Sequence, residues 1–426
     1  MKHKLFIYTL AGILGVFVII QSCMKDPDLR YAADDNQMMA AKDRAGVLNE
    51  MEQLGKLIFF DNISSPNNMS CASCHKPEYG FTGPNGGQNL KSGIYRGAIA
   101  TRWGNRKPPS SAYATFSPLF HYSAEEHGFV GGNFWDGRAT GLKLGNPAAD
   151  QALGPFLNPV EQNHPDAVSV LNQLAASNYM DLWIKVWGEP ISTSTPEKET
   201  LNYNRVGLSI AAYEGSSEVN AFSSKFDYYQ KGIVTLNAEE LKGLQLFNGK
   251  ANCWHCHTST TEDGNPGPLF TAFDFYNLGV PKNPGNPFYQ MNTVYLDNGN
   301  PINPQGSAWI DYGLGAFLQK SSNPEWQAMA AENMGKHRIP TLRNVDKRPG
   351  PGIVKAYMHN GVFKSLEEVV HFYNTRDTKP WPAPEVNQNM EHEFTGNLSL
   401  TSDEEKAIVA FMKTLSDGYV VKTSNR

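Results

Sequence analysis

The sequence predicts a mainly helical protein in two similar halves, with long loops and little strand. Three observations predict this. The chain has 426 residues, too many for one ordinary core. One short pattern occurs twice, "CASCH" at 71–75 and "CWHCH" at 253–257, each after an apolar stretch with helical spacing, "LGKLIFFD" (54–61) and "LKGLQLFN" (241–248). Between the helical stretches lie Gly/Pro/Asn-rich segments at 76–132, 262–308 and 376–396, lengths at which loops carry function or wrap a cofactor.

Composition is globular, with 40% hydrophobic and 19% charged residues. A net charge of −5 with no basic patch argues against a nucleic-acid partner. No run of like charges marks an interaction tail.

The elements follow in chain order. Lys2 and Lys4 precede the apolar segment Leu5 to Ile20, and "QSC" ends at Cys23. This reads as a lipoprotein signal over residues 1–22, because the apolar run is short for a membrane span and a small residue precedes the cysteine. Lipid on Cys23 would anchor the mature chain to a membrane on the exported side, periplasmic or cell-surface. The lack of an acidic residue directly after Cys23 favours the outer membrane, and the polar stretch 23–45 is read as a tether. Helices are expected over 166–187 and 199–214. Three capping boxes open later helices: Asn237 with Glu240, Ser365 with Glu368, and Ser402 with Glu405.

Beyond Cys23, the only cysteines are Cys71, Cys74, Cys253 and Cys256, in two C-x-x-C-H sets. Two thiols three positions apart can each bond one vinyl group of a single haem, and the following histidine, His75 or His257, then lies under the iron. A four-thiolate zinc site and a redox dithiol are the rivals. Neither requires a histidine directly after each pair, so two covalent haems c are expected. The fold class is then mainly α, with two cytochrome c-like domains, each holding one haem, at 46–235 and 236–420. His255 and Trp254 are read as spacers.

The chain resembles the bacterial di-haem cytochrome c peroxidases and their MauG-like relatives. The resemblance runs from about Leu54 to Tyr419 and rests on "CASCH", "FWDGRA" (134–139), "QALGPFLNPVE" (151–161), "CWHCH", "IPTLRNV" (339–345), "YMHNG" (357–361) and "LEEVVHFYN" (366–374), in that order. It implies an enzyme that meets hydrogen peroxide at the first haem. Gln151, Pro155 and Glu161 would line that haem's open face, with Glu161 as general acid–base and Gln151 orienting peroxide. Trp135 matches the aromatic relay between the haems, and Arg138 and Arg343 are candidates for pairing with haem propionates.

Conventional family peroxidases carry a removable distal histidine soon after the first motif. Here no histidine occurs between His75 and His121, so an open first haem is expected, with His121 and His127 discounted as ligands. The sixth ligand of the second haem is expected to be Tyr373, which shares a helical face with Leu366, Val369 and Val370; Met334, Met358 and His371 are alternatives. A tyrosine there tilts the reading toward a MauG-like mechanism. The family's inter-haem calcium ion uses an Asn in an "RNxP" segment. Here "GNRKPPSSA" (104–112) offsets Asn105 and puts Lys107 in the aligned place, with main-chain oxygens expected near Val354 and Ala356. Electrons would come from a small cytochrome or cupredoxin, or from a partner protein that is oxidatively modified. A non-catalytic di-haem electron carrier is the alternative from another class.

Overall fold

The computed structural model describes residues 47–262 and 264–422; the signal segment, Cys23 and the tether lie outside the described residues. The architecture is helical, with two short two-stranded ribbons. Helices in chain order are α1 (Glu50–Phe60), α2 (Gly86–Lys91), α3 (Pro147–Leu157), α4 (Ala167–Ala175), α5 (Met180–Trp187) and α6 (Pro196–Gly215). They continue with α7 (Lys225–Gln230), α8 (Ala238–Phe247), α9 (Gly313–Gln319), α10 (Pro324–Ala328), α11 (Leu366–Thr375) and α12 (Ser402–Lys413). The helical stretch expected over 166–187 is two helices, α4 and α5, separated by a short break.

Each half is closed by one helix crossing, and the two crossings are built alike. Helix α1 starts with a capping box, Asn49 and Glu52, and α8 with another, Asn237 and Glu240. Six residues after each Asn stands a glycine, and four after that a phenylalanine: Gly55 and Phe59, Gly243 and Phe247. A Cβ on Gly55 would lie 1.8 Å from Ser209 O on α6, and one on Gly243 would lie 1.9 Å from Ala407 O on α12. Only glycine lets these backbones touch. The phenylalanines then pack edge-on, Phe59 against Tyr213 at 5.3 Å and Phe247 against Phe411 at 5.1 Å.

Helix α12 is capped one residue earlier than expected, by Thr401 with Glu404. This frees Glu405 to accept from Asn374 Nδ2 (2.6 Å) and to pair with His371 Nδ1 (2.9 Å), which ties α12 to α11. The first core gathers residues of α1, α3, α4, α5 and α6. Phe226 of α7, ahead of the expected boundary at 235/236, packs with Phe270 and Phe411 in a cluster of the second half.

The ribbons matter for the site. β1 (His121–Ser123) pairs antiparallel with β2 (Gly128–Val130), and β3 (Phe275–Tyr276) with β4 (His337–Arg338). The Arg338 N–H also donates to Trp135 O at 2.8 Å, which seats β4 beside the tryptophan. Among the described residues no helix is long and apolar enough to cross a membrane.

Candidate functional site: two cavities sharing a tryptophan

Both C-x-x-C-H segments fold as a single 3-10 turn, Cys71–Ser73 and Cys253–His255. The amides of His75 and His257 donate back to Cys71 O (3.0 Å) and Cys253 O (2.9 Å), so thiols and imidazole of each set converge. The two sets line different cavities, of about 990 Å³ for the first and about 1400 Å³ for the second. A single zinc site shared by the four thiols is thereby excluded. All four cysteines are free. Burial pushes the thiols of Cys71, Cys74 and Cys253 up to about 12.

The histidines are oriented identically. His75 Nδ1 is 3.0 Å from Phe81 O, and His257 Nδ1 is 2.8 Å from Phe270 O. Both phenylalanines have left-handed backbones, φ 56° and 53°, which aim their carbonyls at the rings. A proton fixed on Nδ1 leaves Nε2 for iron, the usual outer-shell arrangement of a metal-binding histidine. Burial holds both imidazoles neutral, with His257 lowered to about 4. These residues fit a covalent haem in each cavity.

In the first cavity, α3 presents Gln151 and Pro155 four residues apart, on one helix face. The chain then leaves α3 and turns, with Glu161 N–H donating to Asn158 O (2.9 Å) and Ala98 N–H donating to Glu161 O (2.7 Å). This returns the Glu161 side chain to the same cavity. Burial raises the Glu161 pKa above the ordinary carboxyl value, against the opposing pull of the Arg138 charge and an Asn158 hydrogen bond. Arg138 lines this cavity too, but is ion-paired with Asp136 at 2.8 Å. No histidine other than His75 lines it among the described residues; His121 and His127 sit on the β1–β2 ribbon.

Sequence reasoning missed Glu214. It lies at the end of α6, buried in the same cavity, with Oε2 unpartnered and its pKa raised to about 8 by burial. The signal was present: a carboxylate inside the apolar run "LSIAAYEG" of a helix.

Trp135 lines both cavities. Its indole N–H donates to Lys107 O at 2.7 Å, and its ring meets His359 at 6.5 Å.

The second cavity holds Tyr373 and Met358 on its lining, together with His257. The Tyr373 hydroxyl makes no hydrogen bond among the described residues, and burial raises its pKa. The other two alternatives lie elsewhere. Met334 packs against the cluster of Phe120 and Leu314, and His371 is spent on Glu405 and, through Nε2, on Lys379 at 3.1 Å. His255 stacks between Trp254 (3.8 Å) and Phe394 (4.0 Å), off the cavity lining.

Arg343 departs from expectation. It lines neither cavity. Its guanidinium is bidentate on buried Asp227 (2.9 and 3.1 Å), with Nε donating to Pro268 O at 2.6 Å. Three of its five N–H donors are spent inside the fold and the side chain lines neither cavity, which sets it apart from a propionate partner. Five residues earlier, Arg338 does line the second cavity, with Nη1 unpartnered and burial lowering its pKa to about 10. Beside it His337 and His359 stack at 3.6 Å, with His337 Nε2 3.4 Å from Asp311 Oδ1 and His359 Nε2 4.0 Å from Glu385 Oε2. Asp311 completes a three-donor group with these rings, but Arg106 already binds both its carboxylate oxygens at 2.6 Å, which disfavours a metal ion.

The expected calcium seat does not fit that ion. Calcium takes 6–8 oxygen ligands. Here Lys107 brings an ammonium group, and Val354 O already accepts from Asn89 Nδ2 at 3.0 Å.

The chain matches the family model for di-haem cytochrome c peroxidase over residues 49–235. It is 31% identical to methylamine utilization protein MauG of Paracoccus denitrificans, over 85% of this chain and 88% of that one. It is 29% identical to cytochrome-c peroxidase IdrP1 of a Pseudomonas species, over 85% of this chain and 80% of that one. The diheme peroxidase BthA of Burkholderia thailandensis superposes with a TM-score of 0.69 at 27% identity, covering 88% of each chain. The paired attachment motifs, the two cavities and these likenesses lead to one conclusion: the chain belongs to the di-haem cytochrome c peroxidase and MauG family, peroxidase-type oxidoreductases with two c-type haems.

Proposed function

We propose that the protein reacts with hydrogen peroxide in the first cavity and shares the oxidising equivalents with the second, by a MauG-like mechanism with an open first haem. The bound haem supplies the peroxide-binding and redox chemistry. The chain supplies the rest. Cys71, Cys74 and His75 hold the first haem; Cys253, Cys256, His257 and Tyr373 hold the second. Glu161 takes a proton on a carboxyl oxygen and returns it to the departing oxygen of peroxide; burial raises its pKa above the ordinary carboxyl value, which favours its holding that proton. Gln151 orients the substrate without changing charge. Arg338, His337 and His359 receive the propionates of the second haem, in place of Arg343. Arg138 remains the candidate at the first.

The observation that carries this reading is Trp135, whose ring walls both cavities and gives electrons a path between them. The domains divide at about 235/236, and the chain is exported and lipid-anchored at Cys23, on the outer membrane. The electron source is a small cytochrome or cupredoxin, or a partner protein that becomes oxidatively modified.

The test is to mix fully ferric protein with stoichiometric peroxide, without reductant, in a stopped-flow spectrometer. A rapid change in the bands of both haems is expected. Glu161→Gln should bind peroxide yet slow that change by about 10²–10⁴-fold. A wild-type protein inert until one haem is reduced would restore the conventional peroxidase scheme. Two haems that are both low-spin when ferric would point to an electron carrier.

A further inference from the structure

The misfit at the calcium seat is itself informative. Lys107 is 9% exposed and Lys355 is 4% exposed, and neither pairs with a carboxylate among the described residues. Lys107 Nζ donates to Thr82 Oγ1 and Pro108 O, both at 3.1 Å. Lys355 Nζ sits among three main-chain carbonyls, Tyr79 O (2.9 Å), Asn344 O (3.1 Å) and Lys347 O (2.9 Å). Tyr79 follows the first haem motif, whereas Asn344 and Lys347 belong to the second half. The two lysines are close enough to disfavour each other's charge.

An unpaired buried ammonium costs several kcal/mol unless oxygens replace its water. Three carbonyl acceptors need three hydrogens, and only the charged form of Lys355 has three to give. The cage therefore suits a cation, and the cation is part of the chain. Lys107 is fixed from both sides: its amide donates to His359 O at 2.8 Å, its carbonyl accepts from Trp135, and its Nζ is 5.9 Å from the indole centroid.

We infer that the ammonium groups of Lys107 and Lys355 stand permanently where relatives place a calcium ion, so that this protein joins its two halves beside Trp135 without a divalent cation. Burial pushes both groups toward their neutral forms, Lys107 down to about 8, and the oxygen contacts of each oppose that loss of charge. The ammonium groups cannot dissociate, and chelation leaves the inter-haem region intact. This goes beyond the peroxide reading and is tested without peroxide.

The holoprotein is treated with EGTA, desalted and titrated with calcium chloride by calorimetry, and its melting midpoint is recorded with and without calcium. No binding and no shift are expected. Lys107→Asn, which restores an oxygen ligand, should lower the midpoint, and calcium should recover part of the loss. Lys107→Met should lower it with no recovery. One calcium bound per wild-type chain overturns the inference. So does a folded, haem-bearing Lys107→Asn protein that responds to calcium no differently from Lys107→Met.

Discussion

Arg343 gives the sharpest separation between a cofactor contact and a structural ion pair. Arg343→Met keeps much of the side-chain volume and removes the guanidinium. Asp227 then stays buried with only Ser224 N and Oγ as partners. The two side chains are 1% and 2% exposed, so solvent screening offers no relief. Breaking a buried pair in this way costs about 3–5 kcal/mol. At about 2–4 °C per kcal/mol for a domain of this size, the melting midpoint should fall by roughly 6–20 °C. The pair also sets a pH dependence. Burial alone would raise the Asp227 pKa, but the hydrogen bonds and charge of Arg343 outweigh it and hold the carboxyl below its ordinary value. A depressed carboxyl pKa stabilises the fold fully above the unfolded value, about 3.9, and that stabilisation fades as the pH falls through the folded value. Thermal unfolding of the holoprotein by circular dichroism at pH 7 and pH 3 measures both. The wild-type advantage over Arg343→Met should shrink at the lower pH, while the haem bands of the folded variant stay in place. An unaltered midpoint with displaced haem bands would refute the reasoning and return Arg343 to the haem.

Three further outcomes are expected. Tyr373→Phe should alter the low-spin ferric signal in electron paramagnetic resonance; an unchanged signal would move the sixth ligand to Met358, which shares the cavity lining. Gly243→Ala should destabilise by about 1–3 kcal/mol or more, because its Cβ meets Ala407 O rather than a movable side chain. Gly154→Ala on α3, where the nearest atom is Phe134 Cζ at 3.5 Å, should be neutral or stabilise by up to about 1 kcal/mol; urea titrations of the two glycine variants beside the wild type measure both effects.

Local chemistry was legible in the sequence, and long-range partnership was not. C-x-x-C-H announces its ligands within five residues, and the capping boxes of α8 and α11 are written in four. The box of α12 could be read in two registers, since Thr401 and Ser402 are each followed three residues later by a glutamate. What decided it was the distant use of Glu405 by α11. Arg343 and Arg338 look equally suited to a propionate in "HRIPTLRNV". Only the fold brings Asp227 to one and a cavity to the other. His359 was inside a recognised motif and still went unread, because its stacking partner His337 and neighbour Trp135 come from other segments. Lys107 was noticed as a departure, but its meaning depended on the carbonyl cage of Lys355 nearby.

The paired glycine crossings carry a consequence for the order of assembly. In each half the haem-attachment cysteines follow the first helix closely, whereas that helix's partner comes far later: Gly55 waits for Ser209, and Gly243 for Ala407. A chain emerging from its N-terminus displays each pair of thiols before the helix that closes over them exists. Once the crossing forms, the helix that precedes each pair of cysteines is fixed against its distant partner. The late helices therefore complete each half only after both of its cysteines have been displayed.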